Sequence, residues 1–162
     1  FDYHGDGTVE RFVDVDVKRV ADVPSHLVWD ADHELLYVAD TGNKRVMVLD
    51  PSRAIALRQF PGFETMVQEL EGAGWTPFVD VDGGIEAPSG LALKDGILYV
   101  GDNATSKVHA YDLEGNLVDT LDLGGEIEAG GLMGIRINPE GDALYAVDFR
   151  GNRVIRVQGL AP

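Results

Sequence analysis

The chain has 162 residues, a length typical of one domain, and 44% of them are hydrophobic, which is enough for a packed core. Its 28 acidic and 13 basic residues give a net charge of −15, and a surface of that sign repels nucleic acid phosphates. Cysteine is absent, which excludes disulfides and thiolate metal sites, and no run approaches the roughly 18 apolar residues of a membrane span. We therefore expect no nucleic acid partner and no membrane span. The compartment stays open, with a secreted or periplasmic location favoured.

One sequence pattern occurs three times along the chain. It covers residues 23–50 (VPSHLVWDADHELLYVADTGNKRVMVLD), 87–112 (APSGLALKDGILYVGDNATSKVHAYD) and 131–157 (GLMGIRINPEGDALYAVDFRGNRVIRV). Each copy has a short apolar strand, a polar turn, a strand ending in Tyr-x-x-Asp, a second turn, and a strand that begins at Arg or Lys followed by Val. The recurring acidic residues are Asp40, Asp102 and Asp148. Repeats of several short strands at this spacing predict an all-β repeat architecture of the propeller type.

The predicted elements follow this pattern from the first residue to the last. Residues 9–15 are expected to form an outer fourth strand that follows a third strand ending near residue 3. The first copy adds a fourth strand at 54–60 and the second copy one at 117–123, whereas the third copy ends after three strands. This tally predicts twelve strands, the number in three four-stranded blades, within a single domain, 1–162. The predicted strands begin and end partway through a blade.

An insertion at 62–84 separates the first copy from the second. Phe63, Met66, Val67 and Leu70 recur at helical spacing and predict a short amphipathic helix, which Gly72 and Gly74 can end.

The repeats resemble a known family. Pro-Ser-x-Leu at 24–27 and 88–91, Tyr-Val-Ala-Asp-Thr-Gly-Asn-Lys-Arg-Val at 37–46 and Val-Asp-Phe-Arg-Gly-Asn-Arg-Val at 147–154 are similar to the NHL repeat. The resemblance implies a β-propeller of four-stranded antiparallel blades, commonly six-bladed, so that the chain holds about three blades, half of a ring. It also implies that the first strand of each blade lines a channel. The turns after the recurring Asp residues and the 62–84 insertion, with its short helix, would then share the face at the channel mouth. The family includes protein-binding and RNA-binding modules, and amidating lyases and lactonases are more distant relatives.

Ligand-binding candidates are the residues expected at that mouth. They are His26, Trp29, Trp75, Phe78, Met133, Arg136 and Phe149. Aromatic side chains there can bind a ligand, but Trp75 and Phe78 can instead hold the insertion against the core. His26 can act as a metal ligand or general base, or be an ordinary channel-facing residue. The other copies have Gly90 and Gly134 at its position, so this chain alone cannot provide a site of three histidines.

A divalent cation, calcium or zinc, is a candidate cofactor. Asp80, Asp82 and Glu86 place oxygen ligands close together around glycines, and His26 is the nitrogen ligand that could join them. The alternative is an acidic loop without a metal. The recurring Asp residues are expected to cap the turns that follow them, and His109 is expected to be solvated on a polar strand.

Two functions remain open at this stage. The first is a binding module for a protein or small-molecule ligand, acting through the face with the insertion. The second is a metal-dependent propeller enzyme, either a lactonase-like hydrolase or a peptidyl-hydroxyglycine amidating-lyase-like enzyme. Because three blades do not close a ring, the expected partner is a second copy, forming a homodimer, or the remainder of a longer propeller chain. In the homodimer, strand 9–15 of each copy would complete the 131–157 blade of the other.

Overall fold

The structure, a computed structural model, describes residues 8–61 and 66–160 and is all-β. Two 3₁₀ turns, Thr41–Asn43 and Pro51–Arg53, are the helical segments in these residues, and no helix there could cross a membrane. The described strands are β1 (Thr8–Phe12), β2 (Leu27–Asp30), β3 (Leu35–Asp40), β4 (Arg45–Leu49), β5 (Ile55–Pro61), β6 (Met66–Glu71), β7 (Thr76–Val79), β8 (Pro88–Lys94), β9 (Ile97–Asp102), β10 (Lys107–Asp112), β11 (Leu117–Asp122), β12 (Leu132–Ile137), β13 (Ala143–Asp148) and β14 (Arg153–Gln158).

Each sequence repeat forms its own antiparallel sheet. The first sheet has the order β2-β3-β4-β7, the middle sheet the order β8-β9-β10-β11, and the third sheet the order β12-β13-β14. The hairpin between β8 and β9 shows the local cause, since Asp95 and Gly96 both have positive φ, 49° and 75°. Two such residues form the type I′ turn, whose twist matches that of the flanking strands.

Two hydrophobic cores separate the three sheets. The core between the first and middle sheets includes Tyr37, Val46, Leu91, Leu98 and Tyr111, and the Tyr37 and Phe78 rings meet edge to face at 4.9 Å. The core between the middle and third sheets is built from Ala92, Val108, Leu123, Ile127, Leu132, Ile135, Ile137, Leu144 and Ala146. Of the three repeat sheets in the described part of the chain, only the middle one therefore packs against another repeat sheet on both faces.

The first strands of the three sheets lie side by side, because β8 contacts β2 on one side and β12 on the other. At Gly90, β8 comes close to the backbone of β12. A Cβ added to Gly90 would lie 2.7 Å from the Ile135 backbone nitrogen and 3.0 Å from the Gly134 Cα. Glycine is therefore required at this position by the neighbouring strand, not by its own backbone angles.

The insertion differs from its predicted structure in two ways. Residues 66–71 form strand β6 instead of the predicted helix, because β6 pairs with β1 on one side and β5 on the other. Phe63 lies outside the described residues. The fourth strand of the first sheet is β7, from within the insertion, and not the predicted strand at 54–60, because that segment turns away to form a hairpin with β6.

The strand count changes accordingly. The described residues contain fourteen strands instead of twelve, because β6 and β7 were not predicted as strands. The predicted strand 9–15 appears as β1, which pairs in parallel with β6 of its own chain within a small sheet of order β1-β6-β5. β1 therefore has one partner within its own chain, which the predicted exchange of this strand between two copies did not include. Strand 117–123 is confirmed as β11, and the third sheet has the three strands expected.

Candidate functional site

One edge of the three repeat sheets carries most of the recurring polar residues. We call it the Asp-turn edge. It comprises the turns after Asp40, Asp102 and Asp148 and the loops that lead into β8 and β12. Pro88 at the start of β8 lies opposite Asp102, and Leu132 at the start of β12 lies opposite Asp148. The starts of the first strands and the Asp turns therefore share this edge.

The recurring aspartates hold backbone at this edge. Asp102 is fully buried, and its carboxylate accepts hydrogen bonds from the backbone N–H groups of Glu86, Ala87 and Ala104 and from the Thr105 hydroxyl. Asp40 accepts from the Lys18 N–H at 2.8 Å and from the Asn43 and Arg45 side chains. These carboxylates are occupied as acceptors, so the structural role expected for them agrees with their contacts.

Asp148 has the same role in the third sheet. It accepts a hydrogen bond from the Gly151 N–H at 2.9 Å and one from the Arg153 Nε at 2.9 Å. The Gly151 bond, and then the Arg153 side chain, lower the pKa of Asp148. Asp148 therefore stays ionised into acidic solution and is not suited to act as a general acid near neutral pH.

Buried polar side chains connect neighbouring sheets at the same edge. The Thr41 hydroxyl, in the first sheet, donates to the Pro88 carbonyl of the middle sheet at 2.7 Å. Asn103 occupies the equivalent position in the middle sheet and donates to the Leu132 carbonyl of the third sheet at 2.9 Å, where Ser89 also donates. These groups bind adjacent sheets together and are not available to a ligand.

His26 lies at the junction of the first two sheets. Its Nδ1 accepts a hydrogen bond from the Leu91 N–H of β8 at 3.1 Å, and its ring is otherwise exposed. Since Nδ1 accepts, the proton of the neutral ring is on Nε2, which leaves no lone pair there for a metal. His26 would have to give up its bond to β8 in order to bind a metal as neutral imidazole.

The predicted metal ligands are placed as follows. The Asp80 carboxylate accepts a hydrogen bond from the adjacent Val81 N–H, and Glu86 forms an ion pair with Lys44 at 2.6 Å. Asp82 is exposed in the same loop. Within residues 8–61 and 66–160, no group of three or more His, Asp or Glu side chains is arranged to hold a metal ion. The structure therefore does not bring His26, Asp80, Asp82 and Glu86 together.

The other candidates do not form one cluster. Phe78 is half-buried between Tyr37 and Tyr111, so it holds β7 to the core, one of its two predicted roles. Trp75 precedes Thr76, which pairs with Val48, and therefore lies toward the end of the first sheet that is opposite the Asp turns. Trp29 is near that opposite end too, since it pairs with Leu36 on exposed β2.

The remaining candidates belong to the third sheet. Met133 is half-buried at the Asp-turn edge, with its sulfur 3.7 Å from the Asn103 amide nitrogen. Phe149 is 63% exposed in the turn after Asp148. Arg136 is exposed on the outer face of the sheet, opposite Tyr145.

A second polar cluster, at the opposite edge, was not singled out from the sequence. His33 Nδ1 lies 2.9 Å from the carboxylate of buried Asp30, and both residues line a groove of about 250 Å³ with Lys94 and Asp95. Asp30 also accepts the N–H groups of Asp32 and His33, so it caps the β2–β3 turn. The Asp-x-x-His spacing could have indicated this pair, but it is equally typical of an ordinary turn.

His109 is buried and not solvated as predicted, because it shares a face of β10 with Tyr111, which belongs to the core between the first and middle sheets. Its Nδ1 lies 3.2 Å from the Thr120 hydroxyl, while its Nε2 is buried with no partner among the described residues. Burial lowers the pKa of His109, and the charge on Lys107 acts in the same direction, whereas Asp102 opposes it.

This shift has a measurable consequence for stability. The unfolded chain binds a proton on His109 more tightly than the folded chain does. The part of the folding stability that depends on neutral His109 is therefore complete above the ordinary histidine pKa of about 6.5 and is lost as the pH falls below it. In NMR titrations we expect His109 to titrate at a lower pH in the folded chain than in the urea-unfolded chain. Replacing His109 by Gln should make the fall of the urea midpoint between about pH 7 and 5 shallower. A folded His109 that titrates at or above its unfolded value would contradict this assignment.

No protein-family model matches the chain, and no curated protein matches it either. The likeness of the three copies to NHL repeats is therefore carried by their own residues and spacing, and membership of that family stays a prediction.

Proposed function

We propose that this protein is a binding module built on a β-propeller segment, in which the three repeat sheets are successive blades. Two observations support the propeller arrangement. The first strands β2, β8 and β12 lie side by side, and each pair of neighbouring sheets encloses a hydrophobic core. Equivalent residues, Thr41 and Asn103, also make equivalent hydrogen bonds to the next sheet.

The ligand binds at the Asp-turn edge and is a cationic peptide segment. The observation that carries this proposal is that the carboxylates at this edge are of two kinds. The recurring aspartates are buried and bonded to backbone, whereas the loops leading into β8 and β12 expose Asp82 and Glu128. Neither of these two forms an ion pair with a basic side chain of the described residues. On a chain with a net charge of −15, such carboxylates attract a basic partner and speed its association.

A binding role is preferred over catalysis for a reason of chemistry. The candidate general base, His26, uses Nδ1 to accept a hydrogen bond from β8, and the recurring aspartates are fixed as acceptors. The metal-dependent alternative needs ligands that the described residues do not bring together. Elemental analysis of the purified protein tests this directly. A stoichiometric zinc or calcium ion that is lost in a His26→Ala variant would favour the enzyme instead.

Peptide binding can be tested with a phage-displayed library of twelve-residue peptides panned against the chain. We expect enriched sequences to be rich in Lys and Arg and to bind more weakly as the salt concentration rises. Binding of a fluorescein-labelled enriched peptide should weaken by about tenfold or more in the double variant Asp82→Lys/Glu128→Lys.

The matched control places the same charge change away from the Asp-turn edge. Glu114→Lys/Asp119→Lys alters two exposed acidic residues of the β10–β11 hairpin, and should leave the peptide affinity nearly unchanged. Equal losses in both double variants would indicate a general charge effect and contradict the site. Failure to enrich any basic sequence would contradict the ligand class.

A further inference from the structure

The outer face of the third sheet has the residue types of a contact between two sheets, although no sheet formed by residues 8–61 and 66–160 covers it. Val46 and Val108 occupy one repeat position and are 0% and 2% exposed, each in the core against the next sheet. Val154 occupies the same position in the third copy and is 64% exposed. Tyr37 and Tyr99 likewise belong to these two cores, whereas their equivalent Tyr145 is exposed.

The glycines at the first strands show the same difference. A Cβ on Gly90 would meet the backbone of β12, but a Cβ on the equivalent Gly134 would meet nothing within 4 Å. The space beside Gly134 is therefore open, whereas the equivalent space beside Gly90 is filled by β12, the first strand of the next sheet. Val147, opposite Gly134 in the β12–β13 register, is also exposed.

The opposite face of the first sheet has the complementary half of this contact. Leu91 and Ile135 are 1% and 5% exposed, because each faces the preceding sheet, whereas the equivalent Leu27 is 58% exposed. Trp29, next on this face of β2, is exposed as well, while its equivalent Ile137 is buried. On β4 the same face is already buried at Met47 and Leu49, so the uncovered part is limited to β2 and β3.

The segments that carry the two faces differ in charge. Residues 20–43, which contain β2 and β3, have five acidic residues and no Lys or Arg. Asp30 and Asp40 are buried, and Asp40 is paired with Arg45, so the exposed carboxylates of this segment are Asp22, Asp32 and Glu34. Residues 131–160 have four arginines and three acidic residues on a chain that is strongly acidic elsewhere. Arg136 is exposed on the outer face of the third sheet, and Arg156 lies over the Tyr145 ring at 5.9 Å. Attraction between these segments favours a contact of the third sheet with a first sheet.

We propose that a second copy of this chain occupies this face. The β2–β3 face of one copy packs on the outer face of the other copy's third sheet, and Gly134 receives the backbone around His26 and Leu27. Two copies related by a two-fold axis make this junction twice and close a ring of six repeat sheets. Strand β1 remains paired with β6 of its own chain, so no strand is exchanged. The inference rests on the propeller arrangement proposed above and is independent of the peptide site.

The first experiment measures self-association by light scattering and sedimentation at micromolar concentration. The unaltered chain should be a dimer. Val154→Asp and Leu27→Asp should each raise the dimer dissociation constant by about tenfold or more, because each introduces a charge into one half of the junction. Val118→Asp is the matched control, since Val118 is 60% exposed on β11 and faces neither junction, and it should leave the dimer intact.

A mixing experiment tests which faces meet. The Val154→Asp and Leu27→Asp chains together can form one unaltered junction per pair, so the mixture should associate more tightly than either variant alone. A contact between two identical faces would be weakened by only one of the variants and would not be restored by mixing. A stable monomer of the unaltered chain would overturn the proposal. The Asp82→Lys/Glu128→Lys variant should still dimerise, so loss of peptide binding and loss of the dimer are distinguishable.

Discussion

Replacing Asp102 by alanine is expected to lower the free energy of unfolding by about 3–5 kcal/mol, because it leaves several buried donors without an acceptor. Oδ1 accepts the Ala87 and Ala104 N–H groups, and Oδ2 accepts the Glu86 N–H and the Thr105 hydroxyl. Each unsatisfied buried donor costs about 1–3 kcal/mol, and folded domains are stable by only about 5–15 kcal/mol. Many of the altered molecules would therefore be unfolded at physiological temperature.

Urea unfolding curves measure this loss, and two further variants separate its causes. Asp102→Asn keeps the shape but turns an NH₂ group toward donors, so its stability should be intermediate. Asp119→Ala removes the same charge from an exposed position on β11 and should change stability by less than about 0.5 kcal/mol. An Asp102→Ala variant as stable as Asp119→Ala would show that the turn does not depend on this carboxylate.

Replacing Gly90 by alanine should destabilise the chain by about 1–3 kcal/mol, whereas the same change at Gly134 should not. The Gly90 Cβ would lie 2.7 Å from a backbone nitrogen of β12, and a backbone contact cannot be relieved by rotating a side chain. Neither glycine has a positive φ, so alanine fits both backbones and only the surroundings differ. The two variants therefore compare the same substitution where the added methyl group meets backbone, at Gly90, and where it meets nothing, at Gly134.

This comparison is best made in the Val154→Asp background, where we expect the chain to be monomeric. There, Gly134→Ala should leave the urea midpoint unchanged or raise it slightly, since alanine restricts the unfolded chain more than glycine does. In the unaltered chain, Gly134→Ala should weaken the dimer. Equal destabilisation by the two alanines in the monomeric background would mean that the space beside Gly134 is not open.

The repeats could be predicted from the sequence because they are local. The turn after Asp102 depends on residues within a few positions of it, and the strands on either side have clear apolar patterns. The pairing of the insertion could not be predicted in this way. Met66, Val67 and Leu70 fit a helix by spacing, yet partners on β1 and β5 convert the segment to a strand. Local spacing contains no information about partners that are distant in the sequence.

The candidate site was predicted less well than the fold, for a related reason. Phe78 and Trp75 were grouped with Phe149 because aromatic residues often line ligand sites. Which end of a strand each occupies depends on which strand pairs with β4, and that partner was β7 instead of the 54–60 segment. The burial of His109 has a cause of the same kind, since its face of β10, shared with Tyr111, is covered by a sheet that is distant in the sequence.

The pairing of β1 with β6 also affects the order of folding. In the middle sheet every strand pairs with the next strand along the chain, so only short loops must close, and such sheets form early. Thr8 pairs with Met66, so β1 cannot be fixed until the β5–β6 hairpin exists. During synthesis β1 leaves the ribosome well before its partner has been made. Among the described strands, β1 is therefore made before all the others and is one of the last to reach its native position.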